Sequence, residues 1–348
     1  VMDGYGKKDK EHLQFLEKLF ENSRLNESIK AGATYVLGFH RMLSNDHKSA
    51  WKTWAGVQSI KDWQFVGPFD NTSGSGFNKT FDPIQQPQPQ ASFKSATNSN
   101  IHWFSTNDIK MDPWLSPVYY VPVRQGVVFA QTFVTSPDDR TVILATGYSG
   151  DYKLWVNDQQ ALEQEEELKT ELDFLKRPVR LKKGVNRILV QLGFTDKTDY
   201  PNFIVRLLDE NLKPVQGLTH SSIYQPYSKA SAGDFGDPIA HFAEVFFEKK
   251  IKAEPSNILN YLMLARVYYR HKQNNKALEI LREAEKLSPD NILLQYALIE
   301  NYLVIGNRTE VLKQLEHIRT LDASLPMIVV YDLKQHLENE NYDEATKQ

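Results

Sequence analysis

Cysteine is absent from all 348 residues. That removes disulfides, thiolate metal sites and every mechanism built on a cysteine nucleophile. It does not choose a compartment, since a cysteine-free chain suits an oxidising periplasm and a reducing cytoplasm alike. Long apolar runs are absent too, none approaching the roughly 18 residues of a membrane-spanning helix. The opening, Val1 followed by Asp3, Lys7 and Lys8, does not read as a signal peptide. A start without Met reads as a processed chain whose export signal or anchor lay upstream. Positive charge is not in excess: 41 Lys and Arg against 44 Asp and Glu give a net charge of −3, which argues against a general nucleic-acid binder.

Motifs of catalysis are equally sparse. The nine histidines are scattered singly, with no His-Glu-x-x-His, and each reads as a surface or partner-bonded residue. Gly147-Tyr148-Ser149-Gly150 has the wrong spacing for a nucleophile elbow and reads as a turn at a strand end. The Gly74–Gly76 stretch lacks the Gly-Lys-Ser/Thr ending of a phosphate loop. Any two of Asp70, Asp112, Asp151 and Asp173 brought together by folding would make an acid pair. They carry the alternative reading, a hydrolase with a carboxylate site between its β and helical parts.

What is present is patterned. From about Lys8 to Ile60 the period is helical, with stripes through Leu13, Leu16, Leu19 and Phe20 and through Ile29, Val36, Leu37 and Phe39. Ser44-Asn45-Asp46 breaks it and caps a third helix holding Ala50, Trp51, Trp54 and Val57. Strand character starts at Trp63, and 67–100 is a long irregular stretch containing Pro83–Gln90, either functional or a covering strap. Strands are expected at 101–104, 118–121, 127–134, 141–146 and 203–208. Between them Tyr152, Leu154 and Val156 alternate with Lys153, Trp155 and Asn157, and Asn157-Asp158 supplies turn chemistry. Ile188, Val190 and Leu192 share one face of a last strand, preceded by Gly184 for a positive φ. The acidic run Glu163–Glu167 reads as a solvated face.

The Leu154-Trp155-Val156-Asn157-Asp158 segment and the Leu181-to-Val190 segment, with Gly184 and Asn186, resemble galactose-binding-like jelly-roll β-sandwiches. After a Ser- and Gly-rich stretch, one interval recurs. It separates Pro255 from Pro289, Ala243 from Ala277 and Ala277 from Val311, and Phe247 from Leu281 and Leu281 from Leu315. With Tyr261, Leu264, Ala265 and Tyr268 ahead of Ala277, Leu281, Ala284 and Pro289, the span 258–291 resembles a tetratricopeptide repeat, whose period is the same. Span 292–325 is a weaker copy, and 326–348 begins another that stops in mid-helix, as it would if the natural protein continued. The template also fits the N-terminal helices loosely.

The expected fold is therefore multidomain α + β: a helical segment 1–60, a degenerate repeat or an unrelated hairpin; an antiparallel jelly-roll sandwich 61–218; a linker 219–236; and a repeat solenoid 237–348. This order, with Gly67-Pro68-Phe69-Asp70-Asn71 opening the sandwich, resembles the N-terminal half of large exported bacterial proteins whose C-terminal half is transglutaminase-like. That activity needs a Cys, so none transfers here. The resemblance implies a non-enzymatic binding and scaffold segment at the periplasm or cell surface, with a protein or peptide on the repeats and a glycan on the sandwich. Trp103, Trp114, Tyr119, Tyr120 and Tyr148 are the aromatic candidates for a sugar platform, Trp114 foremost because Pro113 and Pro117 flank it. The residues favour core or loop-anchoring roles for all of them. Asp70 and Asn71 offer oxygens as a calcium loop would, such domains often carrying a structural calcium; a hydrogen-bonded turn is the favoured reading. No other cofactor is expected.

Overall fold

The structure, a computed structural model, describes residues 10–22, 25–106, 112–121, 124–338 and 340–345. The expected helix start at Lys8 lies outside them. Two compact units divide the chain, Val1–Ala240 and His241–Gln348.

The first unit opens with helices α1 (Lys10–Glu21), α2 (Glu27–Leu43) and α3 (His47–Ala55). Asn26 and Asp46 cap the second and third by accepting from Ser28 N and Ser49 N. Gly38 lets α3 close on α2, because a Cβ there would lie 2.3 Å from the Trp54 indole. These helices are fastened to the β part by a buried ion pair. Arg206 Nη1 donates to Asp173 Oδ2 at 2.5 Å and Arg206 Nε to Val57 O at 2.9 Å, while Ser28 Oγ donates to the same carboxylate oxygen.

The β part is mostly one antiparallel sheet: β1 (Gln64–Phe69), β4 (Phe104–Ser105), β5 (Gly126–Ser136), β6 (Arg140–Val156), β7 (Gln159–Lys169), β8 (Leu175–Leu181), β9 (Gly184–Phe194), β10 (Asn202–Leu208) and β11 (Thr219–Ser221). A separate hairpin, β2 (Ser92–Lys94) with β3 (Asn100–His102), lies outside it. The order is β10-β6-β9-β5-β1-β4, with β7 and β8 also on β6 and β11 on β5.

The first half of β6 lies between β8 and β10 and its second half between β7 and β9. The sheet therefore folds over at the middle of β6. Three strands separate β1 from β10 along the sheet, yet the rings of Phe65 and Phe203 lie 6.3 Å apart across the fold. One core fills the space, with Val128, Ala130, Val142, Leu144, Leu154, Val179, Val190, Leu192 and Val205 all buried. Each such side chain larger than alanine contributes about 1.5–3 kcal/mol.

The bend explains one correction. Gly147–Gly150 is no turn at a strand end but the middle of a continuous strand. A Cβ on Gly147 would lie 2.4 Å from Glu171 O, and one on Gly150, at φ +134°, 2.4 Å from Gly193 O. Only glycine lets the strand pass between its neighbours there. The 118–121 segment is corrected too: Pro117 starts a 3₁₀ turn over Pro117–Tyr119 in place of a strand. The strands that went unread include β7, which holds the acidic run, β8 around Pro178, and the short β2 and β11.

The 67–100 stretch covers the outer face of the sheet. Phe69, Phe93 and Trp103 pack there on Val66, Val127, Phe129, Trp155 and Leu189. Arg187, fully buried, reaches up from β9. It donates to Pro83 O and Ile84 O at 2.7 Å each, to Gln131 Oε1 and to Asp158 Oδ1. Gln131 Nε2 donates to Pro87 O, and Trp103 Nε1 to Gln86 O. The stretch read from composition as a linker is likewise tied to the sheet: β11 pairs with β5, Ala230 N donates to Asn157 O, and Gly236 N to Pro178 O.

The second unit holds α4 (Phe242–Ala253), α5 (Ile258–Arg270), α6 (Asn274–Leu287), α7 (Ile292–Val304), α8 (Arg308–Leu321), α9 (Pro326–Glu338) and α10 (Tyr342–Ala345). The starts of α5, α7 and α9 repeat at the interval counted in the sequence, and so do those of α6, α8 and α10. Buried positions recur with the same spacing: Leu264 and Leu298, Tyr268 and Tyr302, Leu281 and Leu315. Tyr261 Oη donates to Pro255 O, and Gln295 Nε2, one repeat later, donates to Pro289 O.

Two outcomes test this account. Limited proteolysis should cut 221–236 slowly, because its backbone is hydrogen-bonded to the sheet. Arg187→Ala should lower unfolding free energy by about 3–5 kcal/mol in denaturant titration, since it strands Asp158 and three other acceptors.

Candidate binding groove

The first helix of each hairpin turns one face outward. Counting from each helix start, its second, fifth, ninth and twelfth residues lie on one stripe. They are Leu259, Leu262, Arg266 and Tyr269 on α5, Leu293, Tyr296, Glu300 and Leu303 on α7, and Met327, Val330, Lys334 and Leu337 on α9. Leu259, Leu293, Leu303, Val330 and Leu337 are all exposed, at 62, 70, 62, 63 and 48%. The ninth position reads Arg, Glu, Lys, an alternating row of charge within an apolar face.

Between α5, α6 and α7 this face sinks into a shallow, open hollow. Ala265, Ala277 and Ala297 make room for it, with Leu262 and Leu281 beside them. Arg266 and Glu300 stand over it at 3.7 Å, each about 60% exposed. Such a pair is worth little by itself and exchanges partners readily. The Arg266 guanidinium also lies 5.7 Å from the Tyr269 ring centre. At the floor Asn301 is 1% exposed and donates to Asn274 O. The hollow offers apolar area and one charge of each sign, which suits an extended chain segment better than chemistry on a bond.

The aromatic candidates scatter. Tyr148 is fully buried and stacks on Tyr152 at 4.5 Å. Trp103 is 6% exposed under the strap. Neither offers a platform, because each lies on an inward-facing or covered position. Trp114 is half-buried between α2 and the sheet, 6.2 Å from Tyr35, and its indole nitrogen is buried without a hydrogen-bond partner. Tyr120 is partly buried against Phe65. Tyr119 is 66% exposed, and its hydroxyl accepts from Tyr200 Oη at 2.6 Å. Burial and that bond push the Tyr200 hydroxyl pKa up. Tyr200 escaped the sequence reading because nothing local links it to the distant Tyr119.

The carboxylates are each engaged separately. Asp70 Oδ1 accepts from Thr72 N and Thr72 Oγ1, and Oδ2 from Lys79 Nζ at 2.6 Å. Lys79 first, then Thr72, holds its pKa down to about 2. Lys79 thus pairs with one of the oxygens that the sequence offered to calcium. Asn71 is buried, bridging Phe194 O and Gly76 N. Asp112 accepts from Trp114 N, and Asp173 is bound by Arg206.

Asp151 differs. It is 2% exposed, opposite Gly193 on β9, and its Oδ1 has no hydrogen-bond partner. The segment around Phe77 lies near, with Lys153 Nζ donating to Phe77 O. Desolvation first, then the Glu167 charge, pushes its pKa up to about 7. A carboxyl this enclosed cannot reach a substrate.

No family model matches the chain, and no curated protein matches it. Among solved structures it is similar to a β-glucosidase from Kluyveromyces marxianus in complex with glucose, at 14% identity over 31% of this chain and 14% of that one, with a TM-score of 0.25. A GH31 α-xylosidase from Xanthomonas citri is 12% identical over 31% of this chain and 12% of its own, at 0.23. A family 35 carbohydrate-binding module from an environmental isolate is 13% identical over 27% of this chain and 72% of its own, at 0.18.

Asp151 yields a pH prediction. Its folded pKa stands above the roughly 3.9 of an unfolded aspartate, so the folded state holds the proton more tightly. That contribution is complete below about pH 4 and is lost as pH rises through about 7. Asp151→Asn should therefore match the parent near pH 4 and exceed it by on the order of 4 kcal/mol at pH 8, read by denaturant titration at both values.

Proposed function

We propose that this chain is a non-enzymatic binding and scaffold segment of a larger exported bacterial protein, and that its helical unit holds a peptide or partner segment in the groove of α5, α6 and α7. The observation that carries the reading is the exposed face of the first helices, apolar at three rows and alternating in charge at the fourth, with a hollow beneath Arg266 and Glu300. A monomeric surface rarely keeps so continuous an apolar stripe without a partner. The regular recurrence of helix starts and buried positions supports reading the unit as a tetratricopeptide-type solenoid, whose stacked hairpins present such a face. The folded antiparallel sheet supports a galactose-binding-like jelly roll in the first unit, acting as a rigid support.

A glycan role for that unit draws on Tyr119 and Tyr200. They stand exposed with ring centroids 6.1 Å apart, beside polar groups of the same loops. Sugar rings present apolar C–H groups that stack on the flat faces of such aromatic rings. Export to the periplasm or cell surface is part of the same proposal. Among the described residues no helix is long and apolar enough to cross a membrane.

A random peptide array probed with the whole chain tests the groove. Binders should lose at least about tenfold in affinity with Ala297→Leu, which fills the hollow, and with Arg266→Glu, which sets two acids side by side. Binding indifferent to both variants would place the partner elsewhere. Oligosaccharide titration with Tyr119→Ala and Tyr200→Ala tests the second surface, and no heat at millimolar sugar would dismiss the glycan.

A further inference from the structure

Among the nine histidines, two that stand far apart in sequence come together inside the helical unit. His241 is the N-cap of α4 and His271 the C-cap of α5. Antiparallel neighbours put the start of one helix beside the end of the next. Both residues are 6% exposed, unusual for histidine unless it is held. Their ring centroids lie 4.8 Å apart with the planes at 80°, and a ring nitrogen of each lies within 4.8 Å of one on the other. Behind His271, its Nδ1 is 3.3 Å from Glu244 Oε1, one turn into α4.

We propose that His241 and His271 are two ligands of a divalent transition-metal ion of the zinc class, with Glu244 positioning His271. Three features carry this. Two imidazoles are borderline donors that suit zinc, nickel or copper and discriminate against magnesium and calcium. A carboxylate on the remote nitrogen is the usual companion of a metal-bound histidine: Nδ1–H donates to Glu244, which fixes the tautomer and makes Nε2 the ligating nitrogen. The separation is close to what ligation asks, since tetrahedral zinc at about 2.1 Å from each nitrogen sets them about 3.4 Å apart, within reach of a small ring rotation.

His241 now uses Nδ1 to accept from Ala243 N at 3.3 Å. Ligation through Nε2 puts the proton on Nδ1 and gives up that long cap. The loss is small against a metal–nitrogen bond. The bound ion would staple the first turn of α4 to the last turn of α5.

The test is zinc titration of the whole chain against a chromophoric chelator, with cobalt(II) absorption as a reporter of ligand geometry. One ion per chain is expected. His241→Ala and His271→Ala should each weaken it at least tenfold, and Glu244→Gln about tenfold. His317→Ala, on the surface, should change nothing. Zinc should also raise the melting temperature in a concentration-dependent way.

Because His241→Ala removes a helix cap and could unfold the unit, nitrogen-15 imidazole spectra of the unaltered chain provide an independent readout. Zinc should move the His241 and His271 signals ahead of the other seven. Affinity no tighter than about 1 mM, or shifts confined to the other histidines, would overturn the site. The peptide groove stands or falls separately, since neither histidine lines it.

Discussion

A single strand has to serve two arms of one sheet, and most of the first unit follows from that requirement. β6 runs 17 residues without interruption and hydrogen-bonds to four other strands. A strand that long cannot stay flat while its two ends face different neighbours. The change of direction is concentrated at Gly147 and Gly150, where side chains would collide with the carbonyls of Glu171 and Gly193. The space Gly147 leaves free is occupied by the edge of the Trp114 ring, 2.7 Å from where a Cβ would stand. Trp114 in turn meets Tyr35 of α2. A backbone constraint in the sheet thus prepares the seat on which the N-terminal helices rest.

Segments outside the sheet are held to it by buried guanidinium groups as well as by apolar contact. Arg206 binds the helices through Asp173 and Val57 O, and Arg187 binds the covering strap through Pro83 O and Ile84 O. The chemistry suits the task. A strap rich in proline and glutamine has few aliphatic side chains to bury, but it has backbone carbonyls, and an arginine offers five donors in a fixed plane. Removing such a cation from water is costly, and it is offset here because Arg187 makes four hydrogen bonds and Arg206 lies against the Asp173 carboxylate. Gln131 extends the same logic by joining Arg187, Gln64 and Pro87 in one chain of bonds.

Local chemistry was legible in the sequence, and long-range pairing was not. Asn157 and Asp158 take φ values of 50° and 68°, the two left-handed residues of a tight hairpin between β6 and β7, as their identities announce. Gly184 adopts φ +92° and Asp46 caps α3, again from local cues. The helical repeat could be counted from the chain because each hairpin contacts its sequence neighbours. What stayed hidden depends on partners far away. Glu163–Glu167 is the solvated run it looks like, with Glu163, Glu165 and Glu166 exposed, but nothing local told that it lies on an outer strand paired with β6. Tyr119 meets Tyr200, Arg187 meets Pro83, and His241 meets His271 only once the fold exists. Trp103 and Tyr148 looked like platforms because an aromatic residue carries no local mark of which face it will take.

The helical unit shows why repetition leaves room for recognition. Burial there uses the same positions each time, so stability is secured by Leu264, Tyr268, Leu281 and their equivalents. Those positions can drift within limits, as Gln295 does in performing the bond that Tyr261 performs one repeat earlier. The outward stripe has no such duty. Arg266, Glu300 and Lys334 occupy equivalent places yet differ in charge, which packing does not require, since Arg266 and Glu300 are largely exposed and pair with each other at the surface. Variation at positions that burial leaves unconstrained, set among leucines that gain nothing from exposure, is what a surface shaped by a partner would show. On the proposed reading the alternation of sign along the row would set register, because a bound segment shifted by one hairpin would meet like charge.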